Sequence, residues 1–268
     1  MLDLNGHAAL VTGSSKGVGR SIAEAYAQAG ADVVVHGRAM SSEAQQVLDR
    51  CTAAGVKASF VAADLSGPTE QVVDRLFQAA LKAQPNLDIL VNNAGQNFDT
   101  SFEMMTHERF EKTMRLNVFS AYFLTQAFAR RWIDQSVRGR VLFIGSINGR
   151  LAEPGCTAYD ISKGAIEMMV RTLCVSLAPH NIRVNGLAPG LVRTAQTEFL
   201  DEMPTLTEWM LQHTPNAQIP HSDVCGPGAV YLVSDAAEHV HGHMLMIDGG
   251  MGIWQQPPPP DGSVTSAG

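Results

Sequence analysis

Short apolar runs alternate along this chain with longer stretches whose apolar residues recur every three or four positions. His7–Val11, Asp32–His36, Lys57–Ala62, Leu87–Val91, Arg140–Ile144, Arg183–Leu187 and Met244–Ile247 read as strands. Helical patterns fall near 17–29, 41–54, 69–83, 106–133, 158–178 and 223–233. Val33-Val34-Val35 and Ile89-Leu90-Val91 do not alternate with polar residues, which marks strands covered on both faces. A strand followed by a helix, repeated, is the pattern of βα units on a parallel sheet. No internal repeat with a fixed period is visible. Residues 255–268, with Pro257–Pro260 and then Gly, Ser and Thr, lack the apolar positions a core needs, so they read as a flexible tail after one domain spanning 1–254.

The chain has 268 residues, near the upper limit for a single core, and its 45% hydrophobic content is that of an ordinary folded protein. A formal net charge of −7 argues against nucleic acid or an anionic membrane as the partner. Cys51, Cys156, Cys174 and Cys225 are widely spaced without a CxxC pair, so reduced thiols in a cytosolic protein are expected, not a disulfide framework or a zinc site. His239, His241 and His243 alternate, a weak metal signal, and no metal is assigned. The first residues show no charged region followed by an apolar stretch, and no apolar run reaches the roughly 20 residues a bilayer span needs. A soluble cytoplasmic domain is the expectation.

The first strand is followed by Thr12-Gly13-Ser14-Ser15-Lys16-Gly17-Val18-Gly19 and then a helical stretch. Glycine suits a turn with positive φ and a backbone that must approach a phosphate, while the helix start offers unpaired N–H groups and its positive dipole end. With a strand before and a helix after, the turn points to a dinucleotide pyrophosphate. At the end of the second strand, where an acidic residue would bond the adenosine ribose and repel a 2′-phosphate, the sequence has Gly37 and then Arg38. Together with Lys16, this favours NADP(H) over NAD(H). Asp64-Leu65 closes the third strand, where the carboxylate either bonds the adenine amino group or caps the next segment.

Tyr159 and Lys163 are four residues apart on a helical stretch and share one face. A phenol is too weakly acidic to exchange protons readily at neutral pH, and a neighbouring ammonium favours its ionised form. Ser146, 13 residues before Tyr159 at the end of a strand, could donate to a carbonyl oxygen. Asn117 is polar among apolar neighbours and needs a buried partner.

These pieces together resemble a short-chain dehydrogenase/reductase of the main single-domain type. The resemblance rests on Thr12–Gly19, Asp64, Asn92-Asn93-Ala94-Gly95, Asn117, Ser146, Tyr159 with Lys163, Pro189-Gly190 and Thr194, in the family's order, and it ends at Ile247-Asp248-Gly249-Gly250. It implies a Rossmann-type, doubly wound seven-stranded parallel sheet with helices on both faces and NADP(H) across the carboxyl ends of the strands. It implies that Tyr159 is the general acid in reduction and the base in oxidation, that Lys163 lowers its pKa and binds the nicotinamide ribose, that Ser146 steadies the substrate oxygen, and that Asn117 holds a water in a proton relay. It further implies a cofactor site lined by Gly13, Ser15, Lys16, Gly17, Val18, Gly19, Arg38, Asp64, Leu65, Asn93, Ala94, Gly95, Pro189, Gly190, Val192 and Thr194, besides Tyr159 and Lys163.

Substrate choice is assigned to the loops Gln96–Met105, Ile147–Thr157 and Ala195–His221, the last read as a lid carrying Met203, Trp209, Met210 and Leu211. Asn97, Asn148, Arg150, Glu153 and His213 are the polar groups that could face the substrate. Reductases of acyl groups on acyl carrier protein resemble one another in basic residues late in the fourth helix and midway along the fifth. Here those places read Asp134-Gln135-Ser136-Val137-Arg138 and Cys174-Val175-Ser176-Leu177, with Arg130, Arg131 and Arg138 as partial substitutes. A small ketone, polyol or sugar is therefore preferred, with 3-oxoacyl reduction as the alternative. A non-catalytic cofactor-binding protein is a remote one, because all four catalytic residues are intact. Phe119, Phe123, Phe128, Met168, Met169 and Leu173 are apolar beyond one core-facing stripe. Since these helices pair across a two-fold axis in the family the chain resembles, with the last strand often adding a second contact, the resemblance implies a homotetramer, with a dimer next.

Overall fold

The computed structural model describes residues 2–254 apart from 99, 195 and 196, so the segment 255–268, expected to be a flexible tail, lies outside the described residues. Seven strands form one parallel sheet: β1 Ala8–Val11, β2 Asp32–Gly37, β3 Ala58–Ala62, β4 Ile89–Asn92, β5 Arg140–Ile144, β6 Arg183–Pro189 and β7 Met244–Ile247. Their order is β3-β2-β1-β4-β5-β6-β7, a doubly wound sheet whose direction of winding reverses between β1 and β4. Register follows the apolar runs: Leu10 lies beside Val34 on one side and Leu90 on the other.

Because successive residues of a strand point to opposite faces, the non-alternating runs feed two cores. Leu10, Val34, Leu90 and Phe143 pack with Leu76, Phe128, Trp132 and Val170 on one face. Val11, Val35, Val91 and Leu142 pack with Ile22, Tyr26, Val47 and Leu232 on the other. The first layer is α3 Thr69–Ala83, α5 Ser120–Asp134 and α6 Thr157–Leu177, and the second is α1 Gly17–Gln28, α2 Ser42–Ala53 and α8 Cys225–Val233. The remaining helices are α4 His107–Met114 and α7 Pro204–Gln212.

The single helix expected over 106–133 is instead α4 and α5 joined by a π-helical turn, Arg115–Phe119, in which the Ser120 N–H donates to the Arg115 carbonyl. One residue is inserted into the helical ladder there, which displaces Asn117 from the α-helical phase that periodicity alone assigns it. The expected surface stripe also divides. Phe128 and Met169 are core, Leu173 packs on its edge, and Phe119, Phe123 and Met168 stay exposed. Among the described residues, no helix is long and apolar enough to cross a membrane.

Candidate active site

All seven strands run the same way, so the turns that leave their carboxyl ends gather along one sheet edge. The glycine turn follows β1, Arg38 follows β2, Asp64 follows β3, Asn93–Gly95 follows β4, Ser146 follows β5 and Gly190–Thr194 follows β6.

The turn after β1 is tied down from three sides. Thr12 Oγ1 donates to the Val91 carbonyl and accepts the N–H groups of Asn93 and Ala94 at 2.9 and 3.0 Å. The Asn93 amide donates to the carbonyls of Thr12 and Gly13 at 2.8 and 3.1 Å. Gly13 has φ +63°, and a Cβ there would stand 2.9 Å from Ala94 Cα; a Cβ at Gly19 would stand 2.4 Å from the Asn93 amide nitrogen. Asn93, expected to line the cofactor site, therefore also clamps it. His36, which the sequence reading overlooked, accepts the Gly13 N–H on Nδ1 at 2.9 Å. Its place as a polar residue closing the run Val33-Val34-Val35 was the available signal.

Helix α1 begins at Gly17 with Lys16 at its N-cap, and no side chain caps it and no acidic residue occupies its first turn. Its leading N–H groups are thus left for an anion. A cavity of about 400 Å³ opens there between Lys16, Gly17, Arg20, Arg193 and Thr194. Lys16 and Arg38 are exposed. At Gly37 a Cβ would lie 3.4 Å from Ser15 Oγ, so the glycine leaves room beside a hydroxyl and a guanidinium. Asp64 is exposed, and its Oδ1 accepts from the Ser66 N–H and hydroxyl at 3.0 and 2.8 Å. Those bonds, with Arg38 and Lys112 nearby, hold its carboxyl below the usual range. It does shape the following turn, as one sequence reading had it. Leu65 is buried, so its side chain belongs to the core. On the far side, Val192 is buried and the Thr197 hydroxyl bridges the loop, donating to the Val192 carbonyl at 2.9 Å and accepting the Thr194 N–H at 2.8 Å. Pro189 ends β6 opposite Ile247, and the Gly190 N–H donates to the Ile247 carbonyl at 2.9 Å. An uncapped helix start, a glycine-only turn and exposed cations beside Gly37 suit a dinucleotide with a 2′-phosphate.

Ser146 leaves β5 in extended conformation, its Oγ accepting the Asn148 N–H at 3.2 Å and donating to Asn148 Oδ1 at 3.4 Å, and its hydroxyl is near enough to Tyr159, in the first turn of α6, to favour the ionised phenol. Lys163, one turn on, is buried; its Nζ donates to the Ile144 carbonyl at 2.9 Å and lies 5.5 Å from the Tyr159 ring centroid. Burial pushes the Tyr159 phenol up to about 12 against the Ser146 hydrogen bond, which lowers it. Burial pulls Lys163 down to about 8. Desolvation is the largest effect on the phenol, and the lowering expected from Lys163 is not among the effects that act on it here.

Asn117 is buried with both amide hydrogens used: Nδ2 donates to the Gln96 carbonyl and to Ser162 Oγ at 3.1 and 3.0 Å, while Oδ1 accepts the Gln96 N–H at 3.0 Å. Ser162 in turn donates to the Tyr159 carbonyl at 2.6 Å. The π-turn thereby couples the loop after β4 to the first turn of α6. Asp160 fixes the loop before that helix, accepting from the Asn148 amide and the Glu153 N–H, each at 2.9 Å. The Asn97 amide reaches Cys156 Sγ at 3.5 Å, and the Thr100 N–H donates to the Gly155 carbonyl, so the first two substrate loops touch. Arg150 faces Glu167, and His213 stacks on Trp209 in α7. Residues 195 and 196 of the expected lid lie outside the described residues.

The family described as "short chain dehydrogenase" matches residues 7–205. Gluconate 5-dehydrogenase of Gluconobacter oxydans is 34% identical, covering 94% of this chain and 97% of that protein. L-rhamnose 1-dehydrogenase (NADP(+)) of Thermoplasma acidophilum is 33% identical, covering 94% and 98%. The crystal structure of a gluconate 5-dehydrogenase from Burkholderia cenocepacia, in complex with NADP and tartrate, superposes with a TM-score of 0.85 at 30% identity, covering 93% of this chain and 96% of that one. A family match over residues 7–205, with relatives at 33–34% identity over 94% of the chain, shows that this chain belongs to the short-chain dehydrogenase/reductase family.

Proposed function

We propose that the protein interconverts a secondary alcohol and a ketone with NADP(H), acting on a small polyol, sugar or ketone. The observation that carries this reading is the buried Lys163 ammonium 5.5 Å from the Tyr159 ring, with the Ser146 hydroxyl on the side of the phenol where it favours the ionised form. NADP(H), when bound, supplies or accepts the hydride at the carbonyl carbon. In reduction, the Tyr159 hydroxyl gives its proton to the substrate oxygen while Ser146 donates a hydrogen bond to it. The phenolate left behind is stabilised by the Lys163 ammonium, and in oxidation it takes the alcohol proton back. Asn117 holds the Gln96 backbone and Ser162, so its role is to position the loop and the helix turn around Tyr159, and the proton relay assigned to it remains part of this proposal.

The alternative, 3-oxoacyl reduction on an acidic carrier protein, requires a basic strip near the cleft. Arg138 instead pairs with Glu238 at 2.9 Å and Arg131 donates to the Pro85 carbonyl, which leaves Arg130 as the exposed cation of that helix end, and Val175 and Ser176 stand exposed in a Cys174–Leu177 stretch that holds no cation. Oxidation of NADPH with an acetoacetyl thioester, compared with ketoses and simple ketones, tests the reading; turnover of the thioester alone would overturn it. The remote alternative, cofactor binding without chemistry, fails if any carbonyl is turned over. Exposed Phe119 at the end of the π-turn, Tyr122 and Phe123 on α5 with Met168 on α6, and Ile253 after β7, fit two faces covered by second copies in a homotetramer. Free thiols at Cys51, Cys174 and Cys225 fit a cytoplasmic location.

A further inference from the structure

Resting on that reading, we infer that the cleft discriminates against anionic carbonyl compounds, so that its substrate is an uncharged polyhydroxy ketone and not a keto-aldonic acid. Among the described side chains, the loops that frame Tyr159, within 93–106, 145–157 and 190–222, hold five carboxylates, Glu103, Glu153, Asp201, Glu202 and Glu208, against two guanidiniums. Both guanidiniums are committed. Arg150 places Nε 3.0 Å and a terminal nitrogen 2.9 Å from Glu167 Oε1, and that carboxylate is only 12% exposed. Turning Arg150 towards a substrate would weaken the pairing of a largely buried charge. Arg193 pairs with Asp201 and lines the cavity beside Lys16 and Gly17, on the phosphate side of the site.

The charged side chain of these loops that stands by Tyr159 is instead Glu153. Its backbone N–H is fixed by Asp160 Oδ2 at 2.9 Å, its carbonyl accepts the Cys156 N–H, and its Oε2 accepts the Cys156 thiol at 3.6 Å, just before the helix turn that carries the tyrosine. Its charge is among those that disfavour the phenolate. A substrate carboxylate entering here loses its water without gaining a cation from these loops and meets a carboxylate of like sign. Uncharged hydroxyls meet amides and a hydroxyl on the same loops, at Gln96, Asn97, Thr100 and Asn148, which accept and donate without a charge penalty.

The test measures NADPH oxidation by the full chain with D-fructose and L-sorbose against 5-keto-D-gluconate, at about 0.02 M and about 0.5 M salt. The expected result is a kcat/KM at least about tenfold higher for an uncharged ketose, with the KM for the keto acid falling as salt screens the repulsion while that for the ketose stays level. Glu153→Gln should narrow the ratio, and Asn97→Arg, which adds a cation opposite Cys156, should raise kcat/KM for the keto acid. A keto acid preferred at both salt concentrations would overturn this inference and leave the oxidoreductase reading intact. Turnover of neither class, with NADPH still bound, would overturn both.

Discussion

The Gly13 N–H donates to His36 Nδ1 over 2.9 Å, while Nε2 of the same ring lies 3.1 Å from the Ala63 carbonyl. A carbonyl can only accept, so the ring is neutral with its proton on Nε2, and it ties the dinucleotide turn to the ends of β2 and β3. A second ring proton would oppose the Gly13 N–H. Burial brings His36 down to about 4 from the 6.5 of an unfolded histidine. The unfolded chain therefore takes up the proton first, and stability present above pH 6.5 is lost as pH falls towards 4, about 2 kcal/mol of it by pH 5. Denaturant unfolding at pH 7 and pH 5 should show that loss in the native protein and a smaller one in His36→Gln. Parallel losses in the two would remove His36 from the explanation.

On the proposed reading, Gly37 and Arg38 would set the choice between cofactors. Arg38→Ala should weaken NADPH binding about tenfold or more and leave NADH nearly unchanged, because only the former carries the 2′-phosphate. Gly37→Asp places a carboxylate where a Cβ has 3.4 Å of clearance from Ser15 Oγ and should move the preference towards NADH. Fluorescence titration of the reduced cofactors decides both, and equal effects on the two would argue against a phosphate contact at Arg38.

Removing the proton donor separates chemistry from binding. Tyr159→Phe keeps the ring near Lys163 and deletes the hydroxyl, so kcat should fall by roughly 10²–10⁴ while the NADPH dissociation constant holds. A kcat that does not change would place the proton transfer elsewhere.

The pH profile follows from the two buried groups. With Tyr159 near 12 and Lys163 near 8, the phenol holds its proton and the ammonium its charge below pH 8. Ketone reduction should decline above pH 8 as Lys163 loses its proton, whereas alcohol oxidation, which needs the phenolate, should rise with pH. In Lys163→Arg the alkaline limb of reduction should move upward, since a guanidinium does not titrate in that range. The kcat/KM profiles in both directions check this, and an unmoved limb would assign it to another group.

Local information sufficed for much of this protein. The strands lie where apolar runs with no polar alternation put them, because a strand buried on both faces has no other way to be written. The glycine turn and the four-residue spacing of Tyr159 and Lys163 are likewise readable, since φ near +60° and one helix face are properties of a few consecutive residues. What the sequence left open depends on partners far along the chain: Asn117 with Gln96 and Ser162, 21 and 45 positions away, or Asn93 with Thr12, 81 positions away. The π-turn at 115–119, the division of the α5 and α6 apolar residues between core and surface, and the hold of His36 on Gly13 arise only when the sheet order brings β1, β2 and β4 side by side. Periodicity says that a residue is apolar or helical, but which neighbour meets it is decided by how the strands are stacked.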